Sequence, residues 1–270
     1  MISVDAQTMR EIAPRFSGDL LVRQDTIIAA VGEVLAATLE AYDINTRVRI
    51  AHFLGQTCHE SAGFRTTEEF ASGQAYEGRK SLGNTKPGDG PRYKGRGLLQ
   101  LTGRANYGAY GKAMGIDLVG NPDLASEPVL SLRIACEYWQ NRSINAACDD
   151  DDIVEVTRLV NGGSNGLDDR RGYTGKAKTA IARLEGFILS GEAPPAGGRP
   201  VLRRGSKGDA VTELQRMLRK LGFLVAVDAD FGAGTEVAVA AFQRDKKISA
   251  DGIVGGLSWA ALDKATARKQ

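Results

Sequence analysis

The sequence predicts a mainly α-helical protein built from two domains. Three observations carry this. Apolar residues recur every three to four positions through much of residues 1–190, a Pro/Gly-rich stretch occupies 191–200, and residues 201–270 contain a duplicated turn-plus-helix pattern. A length of 270 residues, 42% hydrophobic and 25% charged, allows one large core and one small one.

Each element has a local justification. Met1 to Phe16 holds Asp5, Arg10, Glu11 and Pro14 and lacks the apolar run of a signal peptide. No run elsewhere is long enough to cross a bilayer, so membrane insertion is not expected. Thr26 to Tyr42 places Ile27, Ile28, Val31, Val34, Leu35 and Leu39 on one helical stripe. Asn45 to His59 repeats the pattern with Val48, Ile50, Ala51, Phe53 and Leu54, with Asn45 or Thr46 as its N-cap. Further helices are expected over Val129–Asn141, Asp152–Val160 and Tyr173–Ser190. The acidic run Asp149–Asp152 suits a helix N-terminus better than a calcium loop, whose glycine and distal glutamate it lacks. Between Ala71 and Gly97 the periodicity disappears among glycines and prolines, which reads as a long functional loop.

Gly191 to Pro200 is read as a linker, so the domains are 1–190 and 201–270. In the second, Asp228–Thr235 matches Asp251–Ser258, each a turn with a Thr or Ser placed to cap the helix that follows. With Asp209 to Leu221 this makes three short helices. Charge is uneven. From Arg199 onward there are 13 Lys/Arg against 8 Asp/Glu, net +5, which leaves −3 for the rest of an overall +2. A mildly basic tail suits an anionic polymer.

Three unevenly spaced cysteines, Cys58, Cys136 and Cys148, form no disulfide framework. Buried reduced thiols are expected, with Cys148 the most exposed. There is no HExxH, no CxxC and no GxxxxGK[ST], which argues against zinc and nucleotide chemistry. His52 and His59 lie seven positions apart on one helix, and Cys58 beside His59 points about 100° away, too far round to form a pair.

Glycoside hydrolysis needs one protonated carboxyl group and a second group that activates water or attacks the sugar. Glu60 ends an apolar helix, where Phe53, Leu54 and Phe64 are placed to screen it from water. Glu68 and Glu69 follow within a short turn, so either can supply the second carboxylate. Leu98 to Thr102 alternates, which would set Gln100 and Thr102 on one face of an extended segment, able to hold water or sugar amides.

His59-Glu60-Ser61-Ala62-Gly63-Phe64, then Lys94 to Tyr107 (KGRGLLQLTGRANY), then Val160-Asn161-Gly162-Gly163 resemble glycoside hydrolase family 19, and most closely its compact endolysin branch. That resemblance implies a lysozyme-like helical fold with a small β-hairpin region. It implies Glu60 as general acid, Glu69 as second carboxylate with Glu68 as fallback, and Thr102 as a holder of the attacking water. Gln100, Asn106, Tyr107 and Asn161 match substrate-contacting positions, and Arg171 matches one more weakly. The chain departs from plant chitinases in its short Glu60–Glu69 interval and its lack of a cystine pattern. Residues Leu202 to Trp259 resemble a three-helix peptidoglycan-binding domain, with Asp230, Gly252 and Trp259 as candidate wall contacts.

These readings together imply a monomeric endolysin. It would cut the β-1,4 bond between N-acetylmuramic acid and N-acetylglucosamine with inversion, needing no cofactor, metal or nucleic acid. Made in a host cytoplasm without a signal peptide, it would reach the wall after release through the membrane. The competing readings are a chitinase, a peptide-cutting amidase and a non-catalytic wall-binding protein.

Overall fold

The computed structural model describes residues 2, 4–190, 199–246, 248, 250 and 252–267. It is mainly helical and divides into two compact units, Met1–Leu184 and Glu185–Gln270. The expected linker falls, at positions 191–198, outside the described residues.

Unit 1 contains α1 (Ala6–Ile12), α2 (Gly18–Ala41), α3 (Arg47–Glu60), α4 (Asp89–Arg92), α5 (Arg104–Met114), α6 (Pro128–Asn141), α7 (Ile144–Asp149), α8 (Ile153–Asn161) and all but the last residues of α9 (Leu167–Ser190). Thr46 caps α3 by accepting from the Arg49 amide, and Asp152 caps α8 by accepting from Val154 and Glu155. Every residue of α3 from Ile50 to Cys58 is buried, which makes it the central helix of the unit. Its buried polar side chains each find a partner. His52 Nε2 meets Asp151 at 2.8 Å, Gln56 donates to Thr157 Oγ1 at 3.1 Å, and Thr57 donates to the Phe53 carbonyl at 2.8 Å. The main core joins these to Ile28, Val31 and Leu35 of α2, Leu132 and Trp139 of α6, and Ala177 and Ile181 of α9.

Three of the four acids in the Asp149–Asp152 run take part in such contacts: Asp149 pairs with Arg49, Asp151 with His52 and Lys178, and Asp152 is the cap. All three cysteines are buried free thiols. Cys148, expected to be the exposed one, is fully buried because it faces the core from the short helix α7.

The aperiodic Ala71–Gly97 stretch is held by polar hubs rather than by apolar packing. Buried Asp89 accepts from the amides of Thr85 and Lys86 and from Arg104, at 2.9–3.0 Å. Asn84 joins the Tyr76 carbonyl to the Arg104 amide, and Glu77 accepts from the amides of Gly88 and Gly90. Beneath it lies a smaller cluster of Tyr93, Leu101, Tyr107, Tyr110 and Ile134.

Unit 2 packs α10 (Asp209–Lys220), α11 (Ala233–Asp245) and α12 (Gly256–Ala267) around Leu214, Phe231, Val239, Phe242 and Trp259. Antiparallel bridges Leu202↔Val254 and Lys207↔Asp230 tie its turns together. The internal repeat has a shared physical basis. Buried Gln215 gathers Asp228, Ala229, Asp230 and Thr235, and buried Gln243 does the same for Gly252, Ile253 and Ser258. Thr235 and Ser258 therefore do not cap their helices as expected. They lie inside α11 and α12 and bond to these glutamines. Asp251, at the head of the second copy, lies outside the described residues. Among the described residues no helix is long and apolar enough to cross a membrane.

Candidate active site

Glu60 is the last residue of α3, and the turn after it is tightly specified. Ser61 Oγ donates to the Thr57 carbonyl at 2.6 Å and accepts from the Phe64 amide at 3.0 Å. Ala62, Gly63 and Phe64 are all left-handed, with φ of 51°, 82° and 61°. Two of the three are not glycine, so the turn stores strain that its surroundings must hold. Gln24 of α2 does so by donating to the Gly63 carbonyl at 2.6 Å.

The side chain of Glu60 is 19% exposed. Its partner is Arg170, near the start of α9, whose Nη2 donates to Glu60 Oε1 at 2.5 Å. The expectation of a purely apolar screen from Phe53, Leu54 and Phe64 omitted this cation. Those residues are buried in the main core, and a cation occupies the position against the carboxyl group. Arg170 is 2% exposed and fully engaged. Its Nη1 donates to Gln56 Oε1 at 2.5 Å and its Nε to the Asn165 carbonyl at 3.0 Å. Gln56 lies one turn before Glu60 on α3, so one guanidinium fork holds both residues.

Next to Arg170 on α9 is Arg171, the weaker match among the expected substrate-contacting positions. That side chain is exposed and reaches only Asp168, at 3.6 Å, because adjacent helical residues point about 100° apart. A signal was present in the sequence. Ala177 and Ile181 belong to the buried stripe of α9, and continuing that stripe toward the N-terminus gives Thr174 and then Arg170. Asn161 serves the same corner. Its Nδ2 donates to the Asn165 carbonyl at 3.0 Å, which also receives Arg170, and its Oδ1 accepts from Gly163 at 2.8 Å. Its amide is thus committed to the loop that leads into α9 and receives Arg170 at the Asn165 carbonyl. Burial, followed by the charge on Arg170, pulls the His59 pKa below its ordinary value.

Glu69 comes from a small β region. Its amide donates to the Gly95 carbonyl at 2.9 Å, and Gly97 donates to the Thr67 carbonyl at 2.7 Å. Arg96 and Leu101 exchange backbone bonds of 3.1 and 2.7 Å, closing a hairpin through a turn at residues 97–100. This is the expected hairpin region, but its turn takes in Leu98 to Gln100, so Leu98–Thr102 is not one extended strand. Gln100 is left-handed at φ 53°, so it does not share a strand face with Thr102. Thr102 Oγ1 donates to the Gln100 carbonyl at 2.8 Å, and Asn106 Nδ2 donates to the Thr102 carbonyl at 2.7 Å.

The carboxylate of Glu69 accepts from the Gly95 amide at 2.7 Å and from Tyr76 OH at 3.3 Å. Burial, and then the Glu69 charge, raises the Tyr76 pKa. A Cβ on Gly95 would stand 2.7 Å from Glu69 Oε2 and 2.8 Å from Gln100 Oε1. The two side chains converge over Gly95, so any side chain there would push their ends aside. Glu68 takes the opposite face of the pairing, where Lys94 meets it at 3.0 Å and Arg96 at 3.7 Å. Tyr107, expected to touch substrate, is fully buried. Its hydroxyl donates to the Lys94 carbonyl and accepts from Arg96, and burial pushes its pKa up to about 12. It supports the hairpin from beneath.

In unit 2, two of the three candidate wall contacts are structural. Trp259 is buried with Nε1 donating to the Pro200 carbonyl, and buried Gly252 donates its amide to Gln243. Asp230 is half-exposed and pairs with Lys207 at 2.9 Å.

Comparison with known proteins agrees with this architecture. The class I chitinase model of glycoside hydrolase family 19 matches residues 18–160, and a peptidoglycan binding domain model matches residues 207–262. A glycosyl hydrolase family 19 domain-containing protein of Haemophilus influenzae is 29% identical over 174 residues, covering 53% of this chain and 85% of that one. Acidic endochitinase Q of Nicotiana tabacum is 30% identical over 177 residues, covering 55% and 67%. Chitinase 8 of Oryza sativa subsp. japonica is 39% identical over 102 residues, so the chain spans only 37% of that relative. Two solved structures share the fold at a TM-score of 0.52. One is a bacterial family 19 chitinase, 23% identical, covering 67% of this chain and 95% of its own. The other is a class IV chitinase from Zea mays, 19% identical, covering 66% and 90%. With the family model matching more than half of its length, the chain belongs to glycoside hydrolase family 19 and carries a peptidoglycan-binding domain behind its hydrolase domain.

Proposed function

We propose that the protein is an endolysin that hydrolyses the β-1,4 bond between N-acetylmuramic acid and N-acetylglucosamine in bacterial peptidoglycan. The observation that carries this reading is the joining, on one chain, of a family 19 hydrolase domain at 18–160 to a peptidoglycan-binding domain at 207–262. In this reading Glu60 protonates the leaving glycosidic oxygen and Glu69 takes a proton from the attacking water, which gives inversion. Arg170 keeps the Glu60 carboxyl group in one orientation. Thr102 helps place the water, while Gln100 and Asn106 contact the sugar amides. Glu69 is preferred to Glu68 because Lys94 and Arg96 hold Glu68 on the other face of the hairpin. The enzyme acts as a monomer on the wall, after release from the cytoplasm of a phage-infected host.

Mass spectrometry of digested peptidoglycan tests the reading. New reducing ends on N-acetylmuramic acid are expected. New amino termini would replace the reading with that of an amidase. The names of the plant relatives favour a second reading, a chitinase. Faster turnover of chitin oligomers than of peptidoglycan would establish it in place of the first.

A further inference from the structure

Phe70 follows Glu69 directly and is 72% exposed. Among the described residues it is the one aromatic ring in the set of exposed large hydrophobic side chains. Single exposed aliphatic residues are ordinary. Phe70 differs because its ring is held. The Arg65 guanidinium stands 5.5 Å from the Phe70 ring centroid and 5.0 Å from that of Phe16, so the cation is shared between two rings. The Arg65 backbone belongs to the turn that follows Glu60, its amide donating to the Ser61 carbonyl at 3.1 Å, so its guanidinium starts from that turn. Phe70 is therefore tied to both carboxylate segments, to Glu69 by the chain and to the Glu60 turn through Arg65.

We propose that Phe70 is a stacking platform for a pyranose ring of the glycan strand, at the edge of the Glu60/Glu69 site. The ligand class is a β-1,4-linked N-acetylhexosamine. Its equatorial substituents leave C–H groups on the ring faces, and such a face packs flat against a phenyl ring. Because Arg65 holds Phe70 in place beforehand, little side-chain freedom is lost on binding. The proposal rests on the reading of Glu60 and Glu69 as the reacting pair, and extends it to the residue that grips the strand beside them.

The test uses the full chain and soluble hexa-N-acetylchitohexaose. Phe70→Ala is expected to raise KM about tenfold, the worth of covering one face of a phenyl ring, with kcat changed less than about twofold. Phe70→Trp should restore KM. The two native tryptophans, Trp139 and Trp259, are buried, so a tryptophan at 70 reports on its own surroundings. In a Glu60→Gln, Phe70→Trp double variant, which should bind without cutting, the hexamer should shift the emission of the new tryptophan to the blue. An unchanged KM for Phe70→Ala, or an emission unmoved at saturating hexamer, overturns the platform and leaves the Glu60 assignment intact. Glu60→Gln alone separates the two ideas, because wild-type turnover in that variant refutes the acid assignment whatever position 70 does.

Discussion

Replacing Arg170 with Ala removes three contacts at once: those to Glu60, Gln56 and the Asn165 carbonyl. Gln56 is fully buried and Glu60 largely so, and neither gains another donor. Removing one member of a buried ion pair costs about 3–5 kcal/mol, most of it from the partner left unpaired. At roughly 2–4 °C per kcal/mol for a domain of this size, the melting temperature of the hydrolase unit should fall by about 10 °C. A carboxyl group displaced by an ångström also loses about a hundredfold in rate, so kcat should fall by that order even where the variant is folded. Arg170→Lys keeps the charge and loses the fork, and should fall between the two proteins. Arg171→Ala, on an exposed side chain, should change stability by less than about 0.5 kcal/mol. Calorimetry and release of reducing ends measure both effects. An Arg170→Ala protein that melts within about 1 kcal/mol of wild type and keeps its kcat would refute the claim that this fork holds Glu60.

Three further outcomes follow from the same geometry. Glu69→Gln should lower kcat at least a hundredfold, the usual worth of a general base, while Glu68→Gln changes it less than about threefold. The reverse pattern in reducing-end release would move the base to Glu68. Gln215→Ala leaves the amides of Asp228 and Ala229 without their acceptor, and should cost the wall-binding unit about 2–3 kcal/mol, seen as an earlier melt and weaker pull-down by purified walls. The third concerns pH. Burial lowers the His52 pKa from its ordinary 6.5, only partly opposed by Asp151, so the unfolded chain binds this proton more readily than the native one. Stability should therefore fall as pH drops below about 6.5, and denaturant titrations of His52→Gln should show a shallower fall over that window.

Much of the helical frame was legible because aliphatic periodicity marks faces. Thr26–Tyr42 and Val129–Asn141 correspond to α2 and α6, Thr46 of the expected pair Asn45/Thr46 caps α3, and the acidic run expected at a helix N-terminus supplies the α8 cap through Asp152. What escaped was structure built without aliphatic periodicity. Helix α5 buries Tyr107, Tyr110 and Gly111, a pattern with no aliphatic stripe to read. The 71–97 segment is organised by single polar residues such as Asp89, whose partners lie at unrelated positions along the chain. At the site, Glu60 and Glu69 stood out as chemistry-bearing residues. Periodicity marks the last helix only from Tyr173, whereas α9 begins at Leu167, so Arg170 falls outside any face the sequence shows. Tyr107 and Trp259 are buried members of their motifs, and motif membership does not distinguish a residue that touches a ligand from one that supports the loop touching it.

The left-handed turn at Ala62–Phe64 acts as a ruler. Glu60 and Glu69 are nine positions apart, and that interval is fixed at one end by Gln24 on Gly63 and at the other by the Glu69–Gly95 pairing. No slack is left between them, so an inserted or deleted residue would have to move one carboxyl group relative to the other. A length change past the ruler, in the exposed Ala71–Ser72 bend before Gly73, leaves that interval untouched. Homologues that keep both glutamates in this register should therefore vary in loop length after Phe70, and a library seeking altered specificity should place its insertions there.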